Sequence, residues 1–116
     1  MKQFLELQPT ANQTFRLMGY GSRGNLAARL EQSYKVEQSG DYQGACQLRY
    51  EAFQDIISTL PDDEDGAVAL DRNHPNTLAA MEIMLASAID NYLAGDGEMA
   101  AAQIELLLDS DEEDPL

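Results

Sequence analysis

Few residues of this chain have the type or the spacing of an active site. His74 is the sole histidine and Cys46 the sole cysteine, so they supply neither a zinc ligand set nor a Ser-His-Asp triad. A general base needs positioned partners, whereas His74 precedes Pro75, where we expect it at the start of a helix. Cys46 is expected to be a small packing residue on a helix, because no activating base is near it. We therefore predict a protein that is not an enzyme.

Two segments match the residue types of ligand-binding loops but lack the register or the neighbouring elements of such loops. The run Asp62-Asp63-Glu64-Asp65-Gly66 has the composition of a calcium loop, but with Gly66 as the sixth position the twelfth would be Arg72. Gly19-x-Gly21-x-x-Gly24 matches the dinucleotide fingerprint, but without the buried strand that precedes it in a βαβ unit it indicates a hinge. We predict no metal and no cofactor.

The charge of the chain is concentrated in its second half. The net charge is −14; residues 1–60 hold six acids and six bases, whereas residues 61–116 hold fifteen acids and one base, Arg72. Such a field repels phosphates and anionic lipids, so we expect no direct nucleic-acid binding and no membrane binding. It either keeps the protein soluble or attracts a protein or peptide partner of basic character.

Compartment and size follow from simple counts. One cysteine allows no internal disulfide, and the N-terminus reaches Glu6 before any apolar run forms, so we expect no signal peptide and a cytoplasmic location. A chain of 116 residues is long enough for one domain with its own core.

Two segments share a spacing that is typical of a turn between helices. Ser39-Gly40-Asp41-Tyr42-x-x-Ala45 is followed 55 residues later by Ala94-Gly95-Asp96-Gly97-x-x-Ala100. Glycine adopts the left-handed backbone that ends a helix, and aspartate caps the next one. Apolar periodicity predicts helices over about 25–38, 41–60, 75–94 and 98–108.

The third of these helices is the most apolar. We expect Asn76 or Thr77 to cap it. One apolar face is predicted at helical spacing, with Ile83, Met84 and Leu93 widening it: Leu78, Met81, Leu85, Ala88, Ile89 and Tyr92. Apolar surface left over on this helix predicts self-association as a homodimer.

The two corners resemble the tetratricopeptide repeat (TPR) superfamily over residues 25–60 and 74–109, and His74-Pro75-Asn76-Thr77-Leu78 resembles the opening of kinesin-light-chain-style repeats. The 55-residue spacing is longer than the ~34 residues of that family, and two units are fewer than three. A plain four-helix bundle explains the same residues. The expected fold class is all-α: two stacked antiparallel helical hairpins, TPR-like or a four-helix bundle.

Three segments are expected along the chain: a lead-in over 1–24, the four-helix domain over 25–109 and an acidic, disordered tail over 110–116. Residues 1–20 fit either two strands in a hairpin or a short helix capped by Thr10. Of these readings we favour an irregular or short helical lead-in.

The resemblance implies that the first helix of each hairpin lines a concave face that binds a peptide. The candidate partner-binding residues on these helices are Arg29, Gln32, Lys35, Val36, Glu82, Ala86 and Asn91. The leading hypothesis is a non-enzymatic protein–protein interaction module that binds a protein or peptide segment. The alternative is an acidic regulatory protein that occupies a basic, nucleic-acid-binding surface by charge mimicry.

Overall fold

The computed structural model describes residues 4–10, 14–60, 69–71 and 73–110. Their elements are β1 (Leu5–Pro9), β2 (Phe15–Gly19), α1 (Gly21–Gly24), α2 (Leu26–Gln38), α3 (Tyr42–Ile57), α4 (Pro75–Leu93) and α5 (Gly97–Ser110). The fold is mostly helical, but its small sheet means that the all-α expectation was too narrow. The acidic run at 62–66 and the tail over 111–116 lie outside the described residues, while Ser110 belongs to α5 and not to the tail.

The lead-in contains a pair of antiparallel strands, so the expectation of an irregular or short helical segment was wrong. Leu7 of β1 lies opposite Leu17 of β2. Leu5 and Leu17 are buried while Glu6 and Arg16 are exposed, the alternation of a sheet with one face on the core. The structure therefore selects the strand hairpin, followed by the single turn α1 where a hinge was expected.

A later segment holds these strands to the rest of the chain. The Phe15 N–H donates to the Ala69 carbonyl oxygen at 2.9 Å, and the Asp71 N–H donates to the Phe15 carbonyl oxygen at 2.8 Å. Thr10 does not cap a helix; its N–H donates to the Thr14 carbonyl oxygen at 2.8 Å, next to the paired strands.

Both Gly-Asp corners separate helices as predicted. Gly40 and Gly95 have φ of 103° and 91°, which glycine adopts at little cost. Asp41 Oδ1 accepts a hydrogen bond from the Gly44 N–H at 2.9 Å, and Asp96 Oδ1 accepts one from the Met99 N–H at 3.1 Å. Each aspartate therefore satisfies a free N–H at the start of the next helix.

Helix α4 is the centre of the packing. It contacts α2, α3, α5 and β2, while α2 also packs on α3 and α5 packs mainly on α4. Ala80, Ile83 and Met84 of α4 are fully buried in the core between these elements.

The apolar face predicted for α4 is only partly buried. Met81 and Ala88 are buried, but Leu85, Ile89 and Tyr92 are 43%, 50% and 70% exposed. Leu78 is exposed as well. The helix is apolar around most of its circumference, so periodicity alone did not determine which side faces the core.

Asn76 and Thr77 join elements instead of capping α4. Asn76 Oδ1 accepts from the Leu26 N–H at 3.0 Å, and its Nδ2 donates to the Leu17 carbonyl oxygen at 3.0 Å. Thr77 Oγ1 accepts from the Leu17 N–H at 2.8 Å. His74 occupies the N-cap position of α4, and its side chain makes no capping hydrogen bond. The first turn of α4 is thereby bonded to β2 and to the start of α2.

We expect Asn76→Ala to lower the free energy of unfolding by about 1–3 kcal/mol, because two partly buried backbone groups lose their partner. Urea unfolding followed by circular dichroism measures this loss. Gln54→Ala, at an exposed position of α3, is the matched control and should change stability by less than about 0.5 kcal/mol. Equal losses in both variants would contradict the bridging role.

Candidate functional site

Two grooves run along the exposed side of α4, with four large apolar side chains between them. We call Leu85, Ile89, Tyr92 and Leu93 the α4 stripe; Leu93 is 66% exposed. Leu85, Ile89 and Leu93 follow one another at i, i+4 and i+8, so they lie on one face of the helix. Ile89 borders both grooves.

The α2–α4 groove has a volume of about 480 Å³ and a charged floor. Its walls are Tyr34 and Glu37 from α2 and Glu82, Leu85, Ala86, Ile89 and Leu93 from α4. Tyr42 and Arg49 of α3, together with Asp90 of α4, form the rest of its lining. This groove is therefore apolar along one wall and ionic at its base.

Arg49 joins three helices beneath this groove. Its side chain is 3% exposed. Arg49 Nη1 donates to both carboxylate oxygens of Asp90 at 3.0 and 3.1 Å, and Nη2 donates to Glu37 Oε1 at 2.6 Å. Nε donates to Ser33 Oγ at 3.0 Å. The guanidinium thus ties α3 to α4 and to α2, with the ring of Tyr34 4.6 Å away.

The surroundings of Arg49 and Tyr42 favour their protonated forms. Burial disfavours the charge of Arg49, but the hydrogen bonds that it donates to Glu37 and Asp90 outweigh this effect, and the pKa of Arg49 is raised. Tyr42 donates its hydroxyl to Asp90 Oδ1 at 3.1 Å. Burial, with Cys46 and Asp90 beside it, raises the pKa of Tyr42 well above its ordinary value. Both groups therefore hold their protons at neutral pH and donate hydrogen bonds to Asp90.

The α4–α5 groove has a volume of about 590 Å³ and is almost wholly apolar. Ala88 and Ala100 are buried at its base, while Tyr92 and Leu108 are exposed beside it. Of the described residues that line it, Glu105 alone is charged. The small residues leave room between the helices for bulky side chains from outside.

The structure does not gather the predicted partner-binding residues into one site. Glu82 and Ala86 line the α2–α4 groove. Lys35 is exposed and lies 3.6 Å from Glu31, and Val36 is half-buried; neither lines this groove.

The other three predicted residues lie elsewhere. Arg29 and Gln32 line a separate cavity of about 240 Å³. Arg29 is committed to an ion pair, with Nη1 2.9 Å from Asp55 Oδ2. Asn91 Nδ2 donates to Gln103 Oε1 at 2.8 Å, so this side chain joins α4 to α5.

Sequence reasoning missed Arg49, although a signal for it exists. Ala45, Ala52, Phe53 and Ile56 form the buried stripe of α3, and Arg49 lies within that stripe at i+4 from Ala45. A charged residue in the middle of an apolar face must find buried partners. Asp90, which is 7% exposed on the most apolar helix, is the corresponding signal in α4.

The two residues singled out for reactivity have different surroundings. Cys46 is half-buried in α3, and burial raises the pKa of its thiol. His74 Nδ1 is buried without a hydrogen-bond partner among the described residues. Those residues contain no group of three or more His, Cys, Asp or Glu side chains arranged to hold a metal ion. No helix among them is long and apolar enough to cross a membrane.

Comparison with known proteins gives no match, either to a protein-family model, to a curated protein or to a solved structure. The resemblance to TPR repeats therefore stays a prediction from the sequence.

We expect Arg49→Met to cost about 3–5 kcal/mol of unfolding free energy, because Asp90 would then carry a buried charge without its partner. Adding Asp90→Asn should restore part of the loss, since the uncompensated charge is removed. Urea unfolding of both variants measures this coupling. Lys35→Met removes an exposed cation and should have little effect; a similar loss there would contradict the account.

Cys46 should react slowly in the folded protein, because burial raises the pKa of its thiol and lowers its thiolate fraction. We expect alkylation by iodoacetamide at neutral pH to be at least about tenfold slower than in urea. Mass spectrometry of timed samples measures both rates. Equal rates would show that the thiol is accessible and unperturbed.

Proposed function

We propose that this chain is a non-enzymatic interaction module that binds a segment of another protein along the α4 stripe. In this proposal α2 with α3 and α4 with α5 are two helical hairpins that stack through α4. The packing of α4 on both α2 and α3 supports that arrangement. A TPR-like stack and a four-helix bundle both remain compatible with these contacts.

The observation that carries the proposal is the exposure of the α4 stripe. Single exposed apolar residues are ordinary on protein surfaces, whereas contiguous apolar patches mark interaction sites. Here Leu85, Ile89, Tyr92 and Leu93 are between 43% and 70% exposed on a single helix. Tyr34 and Tyr42 extend the patch across the α2–α4 groove at 43% and 41% exposure. Aromatic residues of this kind are enriched in protein interfaces.

The charged floor of the α2–α4 groove supports binding over catalysis. Asp90 and Glu37 are both paired with Arg49, so neither offers an unpaired carboxylate as a general base. The guanidinium is held in place by three side-chain partners. We propose that this network fixes the shape of the groove.

Charge mimicry is the weaker alternative for the helices that the structure describes. Their exposed acids on α4 and α5 include Glu82, Glu98 and Glu105. Glu82 lines the α2–α4 groove and Glu105 the α4–α5 groove, so the α4 stripe separates the acid of α4 from those of α5. A basic surface that is bound by charge mimicry would not need contacts with the apolar side chains, whereas the proposed partner binds through those contacts.

Affinity purification from a lysate of the source cells tests this proposal. We expect the Ile89→Ser chain to recover about tenfold less of the proteins that the wild-type chain captures, as measured by quantitative mass spectrometry. The reason is the loss of an exposed isoleucine that a partner would bury. Ile89 is half exposed, so the fold should be retained, with a stability loss below about 1 kcal/mol.

Ile57→Ser is the matched control. Ile57 is 40% exposed on α3 and lines neither groove. The proposal predicts that this variant keeps the same binders as the wild-type chain. Equal depletion by both variants, or no depletion by Ile89→Ser, would contradict the proposal.

A further inference from the structure

We infer that the α4–α5 groove receives a basic amphipathic helix from a partner protein. The inference rests on the proposed function, since it names the occupant of one groove beside the α4 stripe. It follows from three properties of the groove: which side of α5 is uncovered, how few polar groups line it, and the sign of the charge around it.

The first property is the side of α5 that the other described elements leave open. Among these elements α5 packs mainly against α4. Ile104 and Leu108 are spaced at i and i+4 and both line the groove, and Leu108 is 51% exposed. Contiguous apolar side chains at a surface mark interaction sites, so this side of α5 indicates a further element that packs there.

The second property selects a helix as that element. Apart from Glu105, the side chains that line the groove are apolar or glycine. An extended segment laid there would bury backbone N–H and C=O groups without partners, whereas a helix bonds its own backbone. Ala88, Ala100 and Ala101 are small enough to admit bulky anchors spaced at i, i+3, i+4 and i+7.

The third property sets the charge of the occupant. Helices α4 and α5 contain no Lys or Arg. Glu98, Glu105 and Asp109 are exposed on α5, and Asp96 is exposed immediately before it. Residues 111–116 contain four acids and no base, so charge disfavours occupancy by the chain's own C-terminal segment. Lys or Arg beside the anchors of a partner helix would meet these carboxylates.

A second copy of the chain fits this face poorly. A two-fold interface places the same surface on both sides. The acids of α5 in one copy would then lie opposite those of the other, which is unfavourable at moderate ionic strength. Charge therefore favours a basic partner over the homodimer that the apolar surface alone would suggest.

Two synthetic peptides test the inference on the full chain. Both have about 16 residues, enough to span α5, with leucines at i, i+3, i+4 and i+7; one carries lysines at its other positions and one glutamates. In fluorescence anisotropy at about 50 mM salt we expect the lysine peptide to bind with a Kd in the micromolar range, of order 10 μM. The glutamate peptide should bind at least about tenfold more weakly.

Variants locate the binding. Leu108→Ser should lower the affinity for the lysine peptide by about tenfold at both low and high salt, because it removes apolar contact. Glu105→Gln should weaken it about two- to fivefold at 50 mM salt and hardly at 500 mM, where exposed charges are screened. Ile57→Ser and Glu31→Gln, an apolar and an acidic control on α3 and α2, should leave the affinity unchanged.

The inference would be overturned by equal affinity for the two peptides, by no effect of Leu108→Ser, or by a dimer in sedimentation that Leu108→Ser dissociates. The last outcome would make a second copy the occupant. Should neither peptide bind while Ile89→Ser still depletes cellular binders, the inference fails and the proposed function stands. Should Ile89→Ser also deplete nothing, both fail.

Discussion

The buried guanidinium of Arg49 constrains how three helices of this chain pack. A cation with 3% exposure is stable only where its partners are within hydrogen-bonding distance, and these come from α2 and α4. Asp90 accepts two hydrogen bonds from Arg49 and one from Tyr42. Rotating α4 about its axis would break these bonds and leave charges buried without partners. The ion pair therefore selects one rotation of a helix that is apolar on most sides.

That selection has a direct consequence for the surface. With Asp90 held inward, Ile83, Met84 and Ala80 enter the core, and the four residues of the α4 stripe are left facing solvent. Asn76 and Thr77 fix the other end of the helix through hydrogen bonds to β2 and α2. The α4 stripe is thus a result of polar bonds at both ends of the helix. A purely apolar contact would allow α4 to turn and cover these side chains.

The turns between the helices could be predicted from the sequence, because they depend on residues that are adjacent in the chain. Gly40 and Gly95 end helices because of their backbone freedom, and Asp41 and Asp96 cap the helices that follow. The strand pair was not preferred, because its five-residue strands are also held by contacts with residues 69–71, far along the chain. Asn76 was expected to cap α4, but its amide bonds to the backbones of β2 and α2 instead. The residue type alone does not distinguish these two roles, because the same amide serves both.

The residues that shape the candidate site are harder to predict than the turns. Glu82 and Ala86 line one groove, and their contact with a partner stays a prediction. The exposed face of α4 depends on Arg49, which lies on a different helix. A cation within the apolar stripe of α3 and an acid on the most apolar helix are the sequence signals of that dependence.

Thiol labelling of α4 tests the central claim, that Arg49 and its partners hold the stripe outward. In a Cys46→Ala background, Ile89→Cys and Met84→Cys place a thiol on the outer and inner sides of the same helix. Because position 89 is exposed and position 84 is buried, we expect the Ile89→Cys protein to react with a maleimide at least about a hundredfold faster than the Met84→Cys protein under native conditions. Similar rates, or faster labelling at position 84, would contradict it.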